Sequence, residues 1–344
     1  MHLSNLEISE FEKYLNRFNF NEYIKNKTIL ITGAKGIIGW GGARILLYGN
    51  LKHGNNTKII ASTREPEVLP DYIAPSDNVK FIKFGDELKI TDKIDYIIHA
   101  ASPTSNKVFK AQPVECLKTI FNGTERILEL AKKNNATVIY LSSEEAYGIT
   151  NLKDPVNEKY YGAVESLNTR SVYPLGKKSC ELLCRSYYEE YGLDVKIIRP
   201  TVILGLYQPY NSVKVECEMM RCIAENKNLF MKSDGLTKKS VIYSLDAINA
   251  VFTVLFKGKA GEAYNATNPA TYSTVKDRAL KMFERFNPDL KIEFAKQDNS
   301  QALGYLPKRE LLEDINKISE LGWRPFVDDV EIFEIDLKRF GFIK

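Results

Sequence analysis

"TILITGAKGIIGWGGARILLYG", residues 28–49, runs an apolar β-rich segment into a glycine-spaced turn and out into a helix-forming segment. Gly33, Gly36 and Gly39 fall where a strand hands over to a helix. The first glycine allows the tight turn and the second lets backbone approach a pyrophosphate. The third permits close helix packing, and the helix N-terminus adds unpaired N–H groups and a positive dipole end. With a strand before it and a helix after it, the pattern predicts a dinucleotide crevice lined by Gly33, Gly36, Ile37, Ile38 and Gly39.

The chain keeps the same rhythm beyond this stretch. "TKIIAST", "VKFIKFGD", "DYIIHAAS", "TVIYLSS" and "DVKIIRPTVILG" read as strands. "PVECLKTIFNGTERILELAKKN" and "YPLGKKSCELLCRSYYEEYG" read as helices between them. Short β-rich runs joined by helices predict parallel βαβ units, hence an α/β, Rossmann-type doubly wound sheet. From about residue 205 the pattern loosens toward a smaller C-terminal α/β substrate lobe. The expected division is a helical extension over 1–27, a dinucleotide domain over 28–204 and a substrate lobe over 205–344, with some chain exchange between lobes. In the extension, Ile8, Phe11, Leu15 and Phe18 recur at helical spacing and predict an amphipathic helix docked on the domain.

Composition narrows the function. The 344 residues carry a net charge of +4, with acids nearly matching bases, so nothing points to nucleic acid or a membrane surface as partner. Five cysteines, at 116, 180, 184, 217 and 222, show no metal-ligand spacing, and the odd count suits a reduced, cytoplasmic chain. Three histidines, His2, His53 and His99, make a histidine metal site improbable, and no metal is expected. The start lacks a basic, apolar leader, and no run approaches the roughly 18 apolar residues of a membrane span.

Further motifs carry chemistry. The second strand ends in "ASTRE", giving Ser62, Thr63 and Arg64 where an NAD enzyme commonly places an acid. Two hydroxyls and a guanidinium suit a 2′-phosphate, which favours NADP, with NAD left open. Asp86 follows the third strand, placed to meet the adenine. Tyr173 and Lys177 share a helix face at i, i+4 spacing; an ammonium beside a phenol favours the phenolate and makes a usable acid or base. "VIYLSSEEAYG", residues 138–148, ends a strand in Ser142 and Ser143 and sets Glu144 beside Glu145. Such a pair can divide into one acid and one base.

In this order, "TGAKGIIG", "HAASPTS", "SSEEAYG", "YPLGK", "IIRPTVILG", "GEAYNATN" and "DINKISELGWRP" resemble the extended short-chain dehydrogenase/reductase family of nucleotide-sugar enzymes. Within it the chain looks most like UDP-glucuronate decarboxylases and sugar-nucleotide 4,6-dehydratases, "HAASPTS" and "YYGAVESLNTRSVYPLGKK" being decarboxylase-like. The resemblance implies that Tyr173 takes the proton of a sugar hydroxyl, Ser143 bonds the same oxygen and Lys177 orients the cofactor. It implies that Glu144 and Glu145 act as acid and base on the sugar. It also places Ala100, Ala101, Ser102, Ser142 and Pro200 at the cofactor, and Ser102, Ser143, Arg170, Thr201 and Lys239 at the substrate. Three positions depart from the family pattern: Ile120 and Val202 replace asparagines, and Lys239 replaces an arginine. Two reactions stay open: internal redox of a nucleotide sugar (dehydration, decarboxylation or epimerisation), and net NADPH-dependent reduction of a nucleotide-linked keto sugar. A homodimer through the helices at 112–134 and 173–191, and a role in polysaccharide building, are what the resemblance further implies.

Overall fold

The computed structural model describes residues 3–15, 19–69, 78–150, 152–295 and 308–343. Six strands, β1 (Thr28–Thr32), β2 (Lys58–Thr63), β3 (Val79–Lys83), β4 (Tyr96–His99), β5 (Thr137–Leu141) and β6 (Val195–Pro200), join the strand Ala263–Ala266 in one sheet. Read from that last strand, the order is Ala263–Ala266, β6, β5, β4, β1, β2, β3, and every pairing is parallel. This is the doubly wound Rossmann order: β2 and β3 are added on one side of β1 and β4 to β6 on the other, so the winding switches between β1 and β4.

Alternation of side chains builds both faces. Ile29 and Ile31 enter one core with Trp40, Leu46, Ile248 and Phe252. Leu30 points the other way, into a core with Ile97, Ile127, Val138 and Cys184. The central strands β1, β4 and β5 are therefore apolar at successive positions, as a sheet covered on both sides demands. The helix Ile37–His53 ends on Gly54 in the left-handed region (φ 63°). Pro113–Asn134 opens with proline and stops on left-handed Asn135, and Val172–Tyr191 stops on left-handed Gly192.

The helix Ser244–Lys257 and the strand Ala263–Ala266 come from beyond residue 205 yet belong to the sheet layer. A separate core packs Met219, Met220, Met231 and Met282 with Leu229, Phe283 and Phe333. At the other end of the chain, the helix Asn5–Leu15 docks on the sheet domain. Its inward face is Glu7, Glu10, Phe11 and Tyr14, so Ile8 stands outside. Phe11 is buried and Leu15 partly so, while Phe18 lies outside the described residues. Polar pairs decide this face: Arg44 grips Glu7 at 2.7 Å, Tyr14 donates to Asp246 at 3.0 Å and Tyr243 to Glu10 at 3.0 Å. Among the described residues, no helix is long and apolar enough to cross a membrane.

Candidate active site

The glycine turn forms a cradle at the carboxyl edge of the sheet. Gly33 has φ +68°, and a Cβ there would lie 2.8 Å from the Ala100 carbonyl and the Ala101 nitrogen. The turn thus abuts Ala100 and Ala101, where the strand order switches. A Cβ at Gly39 would lie 2.4 Å from the Gly33 oxygen, so the helix can pack this closely only with glycine. Gly36 is different: it is exposed, caps Ile37–His53 without a side chain, and its Cβ would meet one atom alone, at 3.3 Å. Ile37 is half-buried beside it and Ile38 is buried. Backbone N–H groups at an open helix N-terminus fit the pyrophosphate of a dinucleotide.

At the tip of β2 the side chains divide. Ser62 is fully buried and its hydroxyl bonds the carboxylate of Glu87. Thr63 is buried and Arg64 exposed. Asp86 pairs with Lys89 at 2.7 Å. The expected double-hydroxyl grip on a phosphate therefore loses Ser62, because the structure turns that hydroxyl inward.

Toward the middle of the sheet, Tyr173 is buried near the start of Val172–Tyr191, with its ring stacked on Phe109 at 5.0 Å. Burial, then the charges of Glu145 and Glu144, push the phenol up, while a bond with Ser143 and the charge of Arg170 pull it down. Lys177 donates to the Leu141 carbonyl at 2.6 Å and lies 5.7 Å from the Tyr173 ring centroid. The lysine is aimed at backbone rather than at the phenol, so at rest Tyr173 is a neutral donor. This differs from the phenolate that its spacing to Lys177 suggests. Burial lowers the Lys177 pKa to about 8. His99, held by Thr32 at 2.7 Å and Thr124 at 3.2 Å, is pushed down by burial and then by the Lys177 charge to about 3, so it stays neutral.

Lys177 gives a stability test. Its folded pKa of about 8 lies below the ordinary 10.5, so the cost of burying the ammonium is full below pH 8. That cost disappears as pH rises toward 10.5, because the folded state has already released the proton. Relative to Lys177→Met, the wild type should gain up to about 3 kcal/mol across this window. Paired urea titrations from pH 7.5 to 10.5 measure it, and a constant difference would sink the assignment.

The two glutamates face different ways. Ser143 accepts from the Glu145 nitrogen at 3.2 Å and so caps the short turn Glu144–Tyr147. In a 3₁₀ turn consecutive residues stand about 120° apart. Glu144 goes inward: Arg309 donates to one oxygen at 2.9 Å and Thr201 to the other at 3.0 Å. Glu313 packs against this group, its carboxyl pushed well above the usual range by burial and then by Glu144. Glu145 stays half-buried, with one nitrogen of Arg170 at 3.1 Å from both its oxygens. Arg170 lies 5.2 Å over Phe109.

The remaining candidates scatter. Ser142 bonds Glu181, which Arg199 holds at 2.9 and 2.6 Å; that hydroxyl faces the interior rather than the cofactor crevice. Ser102 donates to the Pro103 carbonyl at 3.3 Å, and Pro200 is half-buried at the end of β6. Lys239 lies 3.1 Å from Glu216, with Arg278 3.6 Å from the same oxygen. Against burial, these two cations hold Glu216 down to about 2. Thus Ser143, Glu145, Arg170, Tyr173 and Lys177 form one constellation, while Ser142, Glu144 and Thr201 serve buried networks. The sequence reading misses Phe109, Glu87, Arg309, Glu313 and Glu181. Only Glu181 leaves a local sign, standing at i+4 from Lys177 on the same helix face.

Comparison with known proteins supplies context. The profile of the NAD dependent epimerase/dehydratase family matches residues 29–267. UDP-glucuronic acid decarboxylase 6 of Arabidopsis thaliana is 27% identical over 316 residues, covering 90% of this chain and 87% of that protein. UDP-glucuronic acid decarboxylase 1 of Xenopus tropicalis is 25% identical over 335 residues, covering 94% and 74%. Among solved structures, UDP-glucose 4-epimerase of Thermotoga maritima superposes with a TM-score of 0.75 at 21% identity, covering 91% of this chain and 98% of that one. The dTDP-glucose 4,6-dehydratase of Streptomyces venezuelae, solved with NAD bound, gives 0.74 at 21% identity, covering 92% and 99%. These structures share the fold.

Proposed function

The chain belongs to the NAD dependent epimerase/dehydratase family, and we propose that it performs an internal redox reaction on a nucleotide-linked sugar, with decarboxylation of a sugar acid as the favoured outcome. The observation that carries this is the grouping of Ser143, Tyr173 and Lys177 at the carboxyl edge of the sheet, with the Glu145–Arg170 pair beside it. A nicotinamide dinucleotide in the glycine crevice supplies uptake and return of hydride. Tyr173 and Ser143 hold the sugar oxygen that becomes a carbonyl, and Tyr173 relays its proton. The Lys177 ammonium, fixed on the Leu141 carbonyl, keeps positive potential beneath the phenol. A ketone two carbons from a carboxylate drains the C–CO2 bond, so carbon dioxide leaves and the electron pair stays on the sugar. That carbon then needs one proton and no second base. The inward turn of Glu144 supports this, since a dehydratase-type acid pair would require both carboxylates at the sugar. The 25–28% identity to UDP-glucuronic acid decarboxylases supports the same choice.

The test begins with protein purified without added cofactor. Denaturation followed by mass spectrometry should release near-stoichiometric oxidised dinucleotide, and UDP-glucuronate should yield carbon dioxide without net NADH or NADPH use. An empty site with steady NADPH consumption would replace this reading with net reduction. A homodimer also fits: Val114 and Leu117 on Pro113–Asn134, and Leu182 on Val172–Tyr191, are exposed apolar side chains. Light scattering on the same preparation should return twice the chain mass.

A further inference from the structure

The geometry points to Glu87 as the residue that selects NAD against its 2′-phosphorylated form. The inference rests on the dinucleotide reading of the crevice and concerns its adenosine end. In a doubly wound sheet the ribose is commonly read by an acid at the tip of β2. Here that tip carries Ser62, which pairs in register with Thr32 at the end of β1, and whose carbonyl accepts from the Ala34 nitrogen at 3.1 Å. Ser62 is therefore fixed against the glycine turn.

A carboxylate is nonetheless present, supplied from the next strand. Glu87 follows β3 and turns back to the β2 tip, where one oxygen meets the Ser62 hydroxyl and the other accepts from the Gly85 nitrogen at 2.7 Å. It is 4% exposed. Its hydrogen-bond partners among the described residues are a hydroxyl and a backbone N–H, neither of which cancels charge. A carboxylate has about four lone-pair sites, so two remain for a ribose hydroxyl, which is a donor. A phosphate at that position brings a charge of about −2 and only acceptors. Like charges so placed repel most where water is excluded.

Arg64 argues the other way by charge. It is exposed on a flexible stem, however, whereas Glu87 is held by two bonds. Ser62 donates its proton to Glu87, so it has none to offer a phosphate oxygen. The exchange also explains why the β2 tip looks phosphate-friendly in sequence: its acid is contributed 25 positions away.

The experiment is equilibrium titration of dinucleotide-stripped protein with NAD and with NADP, followed by calorimetry. The wild type should bind NAD at least about tenfold tighter. Glu87→Gln should tighten NADP by about tenfold and leave NAD within about threefold. Arg64→Ala should leave NAD unchanged. Ser62→Ala, which removes the hydroxyl but keeps the charge, should retain the preference; it decides the matter if Glu87→Gln does not fold. Tighter NADP binding by the wild type, a ratio unmoved in folded Glu87→Gln, or a preference lost in Ser62→Ala would each overturn the inference. Wild type that binds neither dinucleotide would instead remove the dinucleotide reading, and this inference with it.

Discussion

Replacing Tyr173 by phenylalanine should lower turnover by about 10³-fold while the protein still folds and still binds its dinucleotide. The fold survives because the ring, not the hydroxyl, does the packing: it stacks on Phe109 and shares its core with Cys180 and Cys184. Dinucleotide binding survives because the glycine turn lies across the sheet and Lys177 keeps its bond to Leu141. Turnover does not survive, because the proton of the reacting hydroxyl loses its relay. Burial and the nearby carboxylates hold the Tyr173 phenol up, so the enzyme at rest has a loaded donor. On the proposed reaction, bound substrate would have to draw the phenol down before Tyr173 could take up a proton. Single-turnover absorbance at the reduced-nicotinamide band, with dinucleotide affinity measured in parallel, separates the two effects. A Tyr173→Phe protein that retains more than a tenth of its turnover would move the proton relay to another group. One that loses dinucleotide binding in proportion would make Tyr173 a packing residue.

What could be read in the sequence was local. The strand–glycine–helix handover needs only residues 28–39, and the backbone conformations it demands are the ones found. Tyr173 and Lys177 are linked by helix geometry alone. The misreadings came where a side chain's direction depends on a distant partner. Ser62 turns inward because Glu87 waits there, and Glu144 turns inward because Arg309, 165 positions later, does. The amphipathic helix at the N-terminus was foreseeable, but its buried face was not. Glu7 and Glu10 look solvated in sequence and are drawn in by Arg44 and Tyr243. An apolar stripe finds a helix; polar partners from other elements set its rotation.

The adjacent glutamates should respond oppositely to substitution. Glu145→Gln should cost about 10²-fold or more in turnover with little loss of stability. Its partner Arg170 keeps its place over Phe109, and the glutamine carbonyl can still accept from the guanidinium. Glu144→Ala should cost about 3–5 kcal/mol of stability, the usual result of removing one member of a buried ion pair. The reason is Arg309, a buried guanidinium that would be left with the Gly148 carbonyl at 3.4 Å. Among the described residues, Glu313 is the neighbour able to take over. With Glu144 gone, the repulsion that helps hold its carboxyl up disappears, and it can ionise against Arg309. The Glu144→Ala loss should therefore fall toward the lower end of that range, and Glu144→Ala with Glu313→Ala should exceed the sum of the two single losses. Urea midpoints for the two single variants and the double complete the cycle. An unchanged midpoint in Glu144→Ala would mean that the carboxylate is not paired in solution. It would then be free to turn toward the sugar, and a dehydratase-type acid pair would return as the working explanation of the two glutamates.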